Sequence, residues 1–326
     1  MKKSFSSQTK LPSEPGFTWE LFLIAVIFLS ALVTSAAASI AIANNNNPHL
    51  FLLLTALSLL VMTLKVTPLL ANKYRERQRA VLRNAEAVMK DDPRAPVLYL
   101  RSFKDDEMIA RAIAFYSIEQ EMKLALFEIG PFIALAEPGK DEPQDPGAAR
   151  MRLPHDAWQD KVAEEMSRAA LVIMRLGASE GLLWELREAP NRVDPKRLVL
   201  LIPPEDELAY EEFRVKNRGL LPRPLPEVKR TQKRLGFTGG IVYFEADWTP
   251  RFRKFKVEWF RQTFWNTFAA VLKMSLQPVY EQLGIKWTMP PVQPIQFLYW
   301  LVLCLLSVLG IYLTYALISN IARVVF

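Results

Sequence analysis

The chain has 326 residues, 51% hydrophobic and 23% charged, with a formal charge of +7 and a mean hydropathy of +0.07. Such an apolar composition excludes an intrinsically disordered chain and a collagen-like repeat. One cysteine, Cys304, and two histidines, His49 and His155, exclude a disulfide scaffold and a cysteine- or histidine-rich metal centre.

The averages hide two populations. Residues 1–20 are a polar tail carrying Lys2, Lys3 and Lys10, and residues 21–43 then run without a charge. A helix rising ~1.5 Å per residue crosses the ~30 Å hydrocarbon core with about 20 apolar residues, so this run predicts a membrane span. Residues 50–71 form a second apolar run whose one charge, Lys65, sits near its end and can snorkel to the headgroups. The polar turn Asn44 to His49 joins the two, and the reading is a transmembrane hairpin over 21–71. A cleaved signal peptide is the rival for the first run, but the tail is long and a second span follows at once. Residues 297–318 are a third uncharged run, entered by Tyr299 and Trp300, which predicts a third transmembrane helix over 295–321 and a tail at 322–326.

Lys73, Arg75, Arg77 and Arg79 follow the second run, and the hairpin turn has no Lys or Arg. The positive-inside rule then places the N-terminus and the central region in the cytoplasm of a multi-pass protein, with a bacterial inner membrane as the expected location. Arg323, on the other side, runs against that rule. The lipid bilayer is the expected partner, with anionic headgroups at the basic flanks.

Residues 72–294 are enough for one soluble domain. With the five basic and two acidic residues outside it set aside, the domain is close to balanced at +4, and nucleic acid is not expected. A polar helical stretch over 71–89 is broken by Asp91-Asp92-Pro93. Apolar runs at 97–100, 131–135, 171–174, 198–202 and 241–244 predict five strands. Helical patterns fill 108–129, 156–170, 181–189, 205–215 and 251–276, and a loop rich in Gly, Pro and Asp occupies 137–153. Near-continuous apolar strands alternating with helices predict a doubly wound, five-stranded parallel sheet of flavodoxin-like type beside the three transmembrane helices.

Ligands of such sheets bind beyond the carboxyl ends of the strands. After the first strand stand Arg101, Ser102, Phe103 and Asp105; Asp105 suits a helix cap and Arg101 suits an anion. After the second comes Lys140 in the long loop, without the pattern of a P-loop. After the third come Arg175 and Ser179, a cap for the helix bearing Trp184, Glu185 and Glu188. The two glutamates share a helix face and read as surface charge, ion-pair partners or catalytic carboxylates. Residues 248–268 interleave five basic and several aromatic side chains, which reads either as an interfacial helix on lipid or as the last helix covering the sheet.

This arrangement resembles the TIR domain over about residues 95–275. The resemblance rests on the Ser and downstream Asp after the first strand, Leu100-Arg101-Ser102-Phe103-Lys104-Asp105, and on the Trp-x-x-x-Glu helix, Trp184 to Glu188. It is similar also to bacterial multi-span membrane proteins of unassigned function that carry a Leu-Arg-Ser-Phe strand end, an Asp-x-Trp helix and a Trp-Glu-Leu helix. The resemblance implies a signalling or defence role, NAD as substrate rather than cofactor, and cleavage at the nicotinamide–ribose bond. Glu188 then takes the catalytic position, with Glu185 as the alternative because it replaces the Cys that commonly follows the Trp. Arg101, Lys140 or Arg175 would hold the pyrophosphate. Clustering of protomers is the oligomeric behaviour it implies, and no metal is expected. The alternative function is a non-catalytic, membrane-tethered module that binds a nucleotide or a protein.

Overall fold

The computed structural model describes residues 84–102, 117–136, 147–152, 158–177, 179–202, 207–228, 239–255 and 267–290. The three expected membrane spans and both tails lie outside these residues. Among the described residues no helix is long and apolar enough to cross a membrane.

The elements in chain order are α1 (Ala85–Asp91), β1 (Val97–Leu100), α2 (Ile118–Leu126), β2 (Phe132–Leu135), β3 (Ala149–Met151), α3 (Trp158–Arg168) and β4 (Leu171–Arg175). There follow α4 (Glu180–Arg192), a 3-10 turn (Pro195–Arg197), β5 (Leu198–Ile202), α5 (Glu207–Lys216), β6 (Gly240–Phe244), β7 (Pro250–Lys254), α6 (Thr267–Ser275) and α7 (Gln277–Gln282). The strands form one seven-stranded sheet in the order β3-β2-β1-β4-β5-β6-β7. The first five pair in parallel, and β6 and β7 join antiparallel.

The sheet differs from the expected five-stranded parallel one in three respects. First, β6, though apolar as expected, runs antiparallel to β5. The connection from β5 covers the same face twice: α5 descends, and residues 220–228 climb back beside it. The climb is visible in Tyr210 donating to the Pro226 carbonyl at 2.7 Å and in the Val228 amide donating to Glu211 at 3.1 Å. β6 stands with Gly240 opposite Ile202. Second, β7 replaces the start of the helix expected over 251–276 and of the interfacial helix expected over 248–268. Five backbone pairs to β6, from Gly240↔Lys254 to Phe244↔Pro250, hold residues 250–254 extended, and among the described residues of that stretch 267–275 are helical. Third, β3 lies inside the stretch read as a loop, pinned by Ile133↔Ala149 and Leu135↔Met151.

The five strands read from the sequence nevertheless stand in the spatial order 2-1-3-4-5, the flavodoxin-like order. Strand alternation sends side chains to two cores. Leu98, Leu100, Ile133, Val172, Met174, Leu200 and Ile202 face α3, α4 and α5. Val97, Tyr99, Phe132, Ile173, Val199 and Leu201 face α2, α6 and α7. The order of connections reverses between β1 and β4, which sets the crevice beyond Leu100 and Arg175.

Candidate functional site

Register places the two arginines side by side. Leu100 pairs with Met174, so Arg101 and Arg175 are the next residues on neighbouring parallel strands. Leu100 and Met174 belong to the core under α4, so alternation turns Arg101 and Arg175 to the α2 side, as it does Tyr99. Arg101, Ser102 and Arg175 are all buried. The Arg101 guanidinium lies 5.9 Å from the centroid of the Tyr99 ring. Burial pushes the Tyr99 phenol up to about 12, against the pull of neighbouring Arg175 and Arg101.

Glu119, in the first turn of α2, closes the group from above the strand ends. Ser117 caps that helix with a full capping box, its hydroxyl accepting from the Gln120 amide at 3.1 Å and its amide donating to the Gln120 side chain at 2.8 Å. The Glu119 carboxylate lies 3.0 Å from Arg101 Nε. Arg150 Nη2, arriving from β3, donates to both of its oxygens at 3.0 and 2.8 Å. The Ala148 amide donates to it at 3.3 Å. Gly147 permits this approach, because a Cβ there would stand 2.3 Å from the Cβ of Glu119. Burial pushes the Arg101 guanidinium below its ordinary value, Glu119 pulls it back up, and Arg150 lowers it again.

Glu119, Arg150 and Tyr99 were not legible as site residues. Glu119 sits in an ordinary amphipathic helix pattern and Arg150 in a stretch read as loop, so only the order of strands brings them to Arg101. A Ser-x-x-Gln signature at 117–120 marks where the helix starts and hence that Glu119 lies in its first turn.

The α4 residues form a separate group on the other side of the sheet. Ser179 accepts from the Leu182 amide at 3.4 Å and caps the helix. Trp184 packs edge-on against Trp158, ring centroids 4.9 Å apart. Glu188 is in an ion pair with Arg192 at 2.7 Å. Glu185 is 6% exposed, its Oε2 meets no hydrogen-bond donor, and burial pushes it up to about 8. A carboxyl so placed holds its proton at neutral pH and can donate it, but is not a standing negative charge. Phe103, Asp105 and Lys140 lie outside the described residues.

The structure thus brings Arg101 and Arg175 together, buries Ser102 next in the chain, and keeps Ser179, Trp184, Glu185 and Glu188 on another helix layer. Guanidiniums with a backbone amide at strand carboxyl ends can hold a phosphoryl group. Among the described residues no three His, Cys, Asp or Glu side chains gather as ligands for a metal. The chain matches no protein-family model, no curated protein and no solved structure.

Proposed function

We propose that this chain is a membrane-anchored signalling or defence protein whose cytoplasmic, TIR-like domain binds a phosphorylated nucleotide, NAD foremost, at the carboxyl edge of β1 and β4. The observation that carries the reading is the register that sets Arg101 beside Arg175 where the connections of the sheet reverse. Planar guanidiniums suit the paired oxygens of a pyrophosphate better than point charges do. Binding by the full chain in lipid nanodiscs, measured by calorimetry with NAD and with ADP-ribose, tests this. Arg175→Ala is expected to weaken binding at least tenfold, and the exposed Arg187→Ala to leave it unchanged. Equal affinity in both variants would remove the site.

Cleavage of NAD is the second reading, favoured by the Trp184-x-x-x-Glu188 spacing. In that reaction the bond between nicotinamide and ribose breaks, and its electron pair leaves with neutral nicotinamide. Water adds to the ribose carbon and releases a proton. A carboxylate near the sugar stabilises the cation that develops. Glu188 is the carboxylate that the spacing assigns to this role, although in the free protein it is paired with Arg192 on the other side of the sheet from Arg101 and Arg175. Nicotinamide release by the full chain, lost in Glu188→Ala and kept in the exposed Glu212→Ala, would make the protein an enzyme. Binding without release would leave it a binding module.

A further inference from the structure

Glu119 fills a socket in which buried donors remain without an acceptor. Its two oxygens meet Arg101 Nε, Arg150 Nη2 and the Ala148 amide. Arg150 keeps two more buried donors, Nε and Nη1, that meet no acceptor. The walls are rigid: Arg101 follows β1, Arg150 is inside β3, and Gly147 lies against the backbone of α2. Two guanidiniums and a backbone amide behind a glycine form the donor set that holds phosphate and pyrophosphate groups elsewhere in proteins. A carboxylate offers two oxygens, whereas a pyrophosphate diester offers four non-bridging ones, and Arg150 has donors to spare.

We propose that Glu119 is an internal occupant of the phosphoryl socket, and that a phosphoryl group of the ligand displaces it from Arg101 and Arg150. The inference rests on the nucleotide-binding reading above and adds its regulation. The free protein holds its own anion in the site, so the ligand's apparent affinity is reduced by the fraction of molecules in which Glu119 is seated. Displacement has a second consequence in the fold. Glu119 belongs to α2, whose far end is tied through Glu128 to Lys273 of α6 and to Thr288. A ligand that unseats Glu119 removes the tie between the start of α2 and the strand ends, and leaves the tie of Glu121 to the Phe268 and Ala269 amides.

Two measurements on the full chain in nanodiscs test this, with inorganic pyrophosphate and NAD as probes. The first is calorimetric affinity of the wild type and of Glu119→Gln, which keeps the shape and removes the competing charge. The variant is expected to bind at least about tenfold more tightly. The second needs no variant. Hydrogen exchange at the Ala148 amide, protected by Glu119 in the free protein, is expected to speed up when either probe saturates the wild type. Wild-type binding that is weakened by Arg175→Ala but not tightened by Glu119→Gln, with Ala148 still protected, would overturn this inference and leave the binding function standing. No binding by either protein would overturn both.

Discussion

The Glu121 carboxylate of α2 accepts the amide hydrogens of Phe268 and Ala269 at 2.7 and 2.8 Å, across 147 residues of chain. These are the second and third residues of α6, whose amides have no partner inside the helix and are ordinarily met by a side chain just before it. The cap here comes from another helix. Burial raises the Glu121 pKa while the two amides lower it. At the other ends of the two helices Glu128 pairs with Lys273, so α2 and α6 run parallel, clamped by charge at start and finish. Glu121→Ala leaves two buried amides without acceptors and is expected to cost about 2–4 kcal/mol in chemical unfolding. Glu121→Gln keeps one acceptor oxygen and is expected to cost about half as much.

Glu119 is the carboxylate between two buried guanidiniums, and its removal strands both. Glu119→Leu is expected to lower stability by about 3–5 kcal/mol. Adding Arg150→Met to that variant removes one of the stranded charges. The double variant is expected to recover at least about 1 kcal/mol, read as a coupling energy in a double-mutant cycle. Strict additivity of the two changes would show that the pair does not interact.

Gly147 stands against α2 so closely that any side chain collides. Its φ is +155°, and a Cβ would lie 2.9 Å from the carbonyl carbon of Glu119 as well as 2.3 Å from its Cβ. Gly147→Ala is expected to destabilise the fold by about 1–3 kcal/mol. Gly219→Ala, where a Cβ meets nothing within 4 Å although φ is +92°, isolates the conformational part of such a change. The difference between the two melting shifts measures the collision.

Glu185 makes stability depend on pH with an unusual sign. In the folded state it keeps its proton up to about 8, whereas its ordinary value is 4.5. Between those values the folded state holds more protons than the unfolded one. Its contribution is therefore fully present below about pH 4.5 and is lost as pH rises toward 8. Glu185→Gln, which cannot ionise, is expected to melt several degrees higher than the wild type at pH 8 and nearly level with it at pH 4.5. A parallel shift at both pH values would mean that the site does not titrate in this window.

The legible parts of the fold are those whose residues have one possible environment. Val97 to Leu100, Phe132 to Leu135 and Leu198 to Ile202 are apolar without a break and buried throughout, so sequence alone marks them as central strands. β7 is the contrary case. Pro-Arg-Phe-Arg-Lys at 250–254 alternates Phe252, packed on the core, with Arg251 and Arg253 on the other side. That is a period of two, but the aromatic and basic residues that follow overlay it with a helical one, and only the partner β6 settles the matter. β3, three residues with an arginine at the centre, carries no pattern at all. The candidate site divides likewise. Arg101 and Arg175 are conspicuous because charges directly after buried strands need a reason, whereas Glu119 and Arg150 gain theirs only from strand order.

The pairing of α2 with α6 also dictates an order of events in synthesis. α2 is complete once residue 126 is made, but the helix it caps begins at 267. Until then one face of the sheet, with Tyr99, Ile173 and Val199 upon it, lacks α6 and α7. The nascent chain must close a loop of well over a hundred residues before that face is dry, and contacts so distant in sequence form slowly. The first half of the domain thus waits, apolar side uncovered, for the second, and any holdase chaperone that serves this chain has its binding site and its time window defined by that delay.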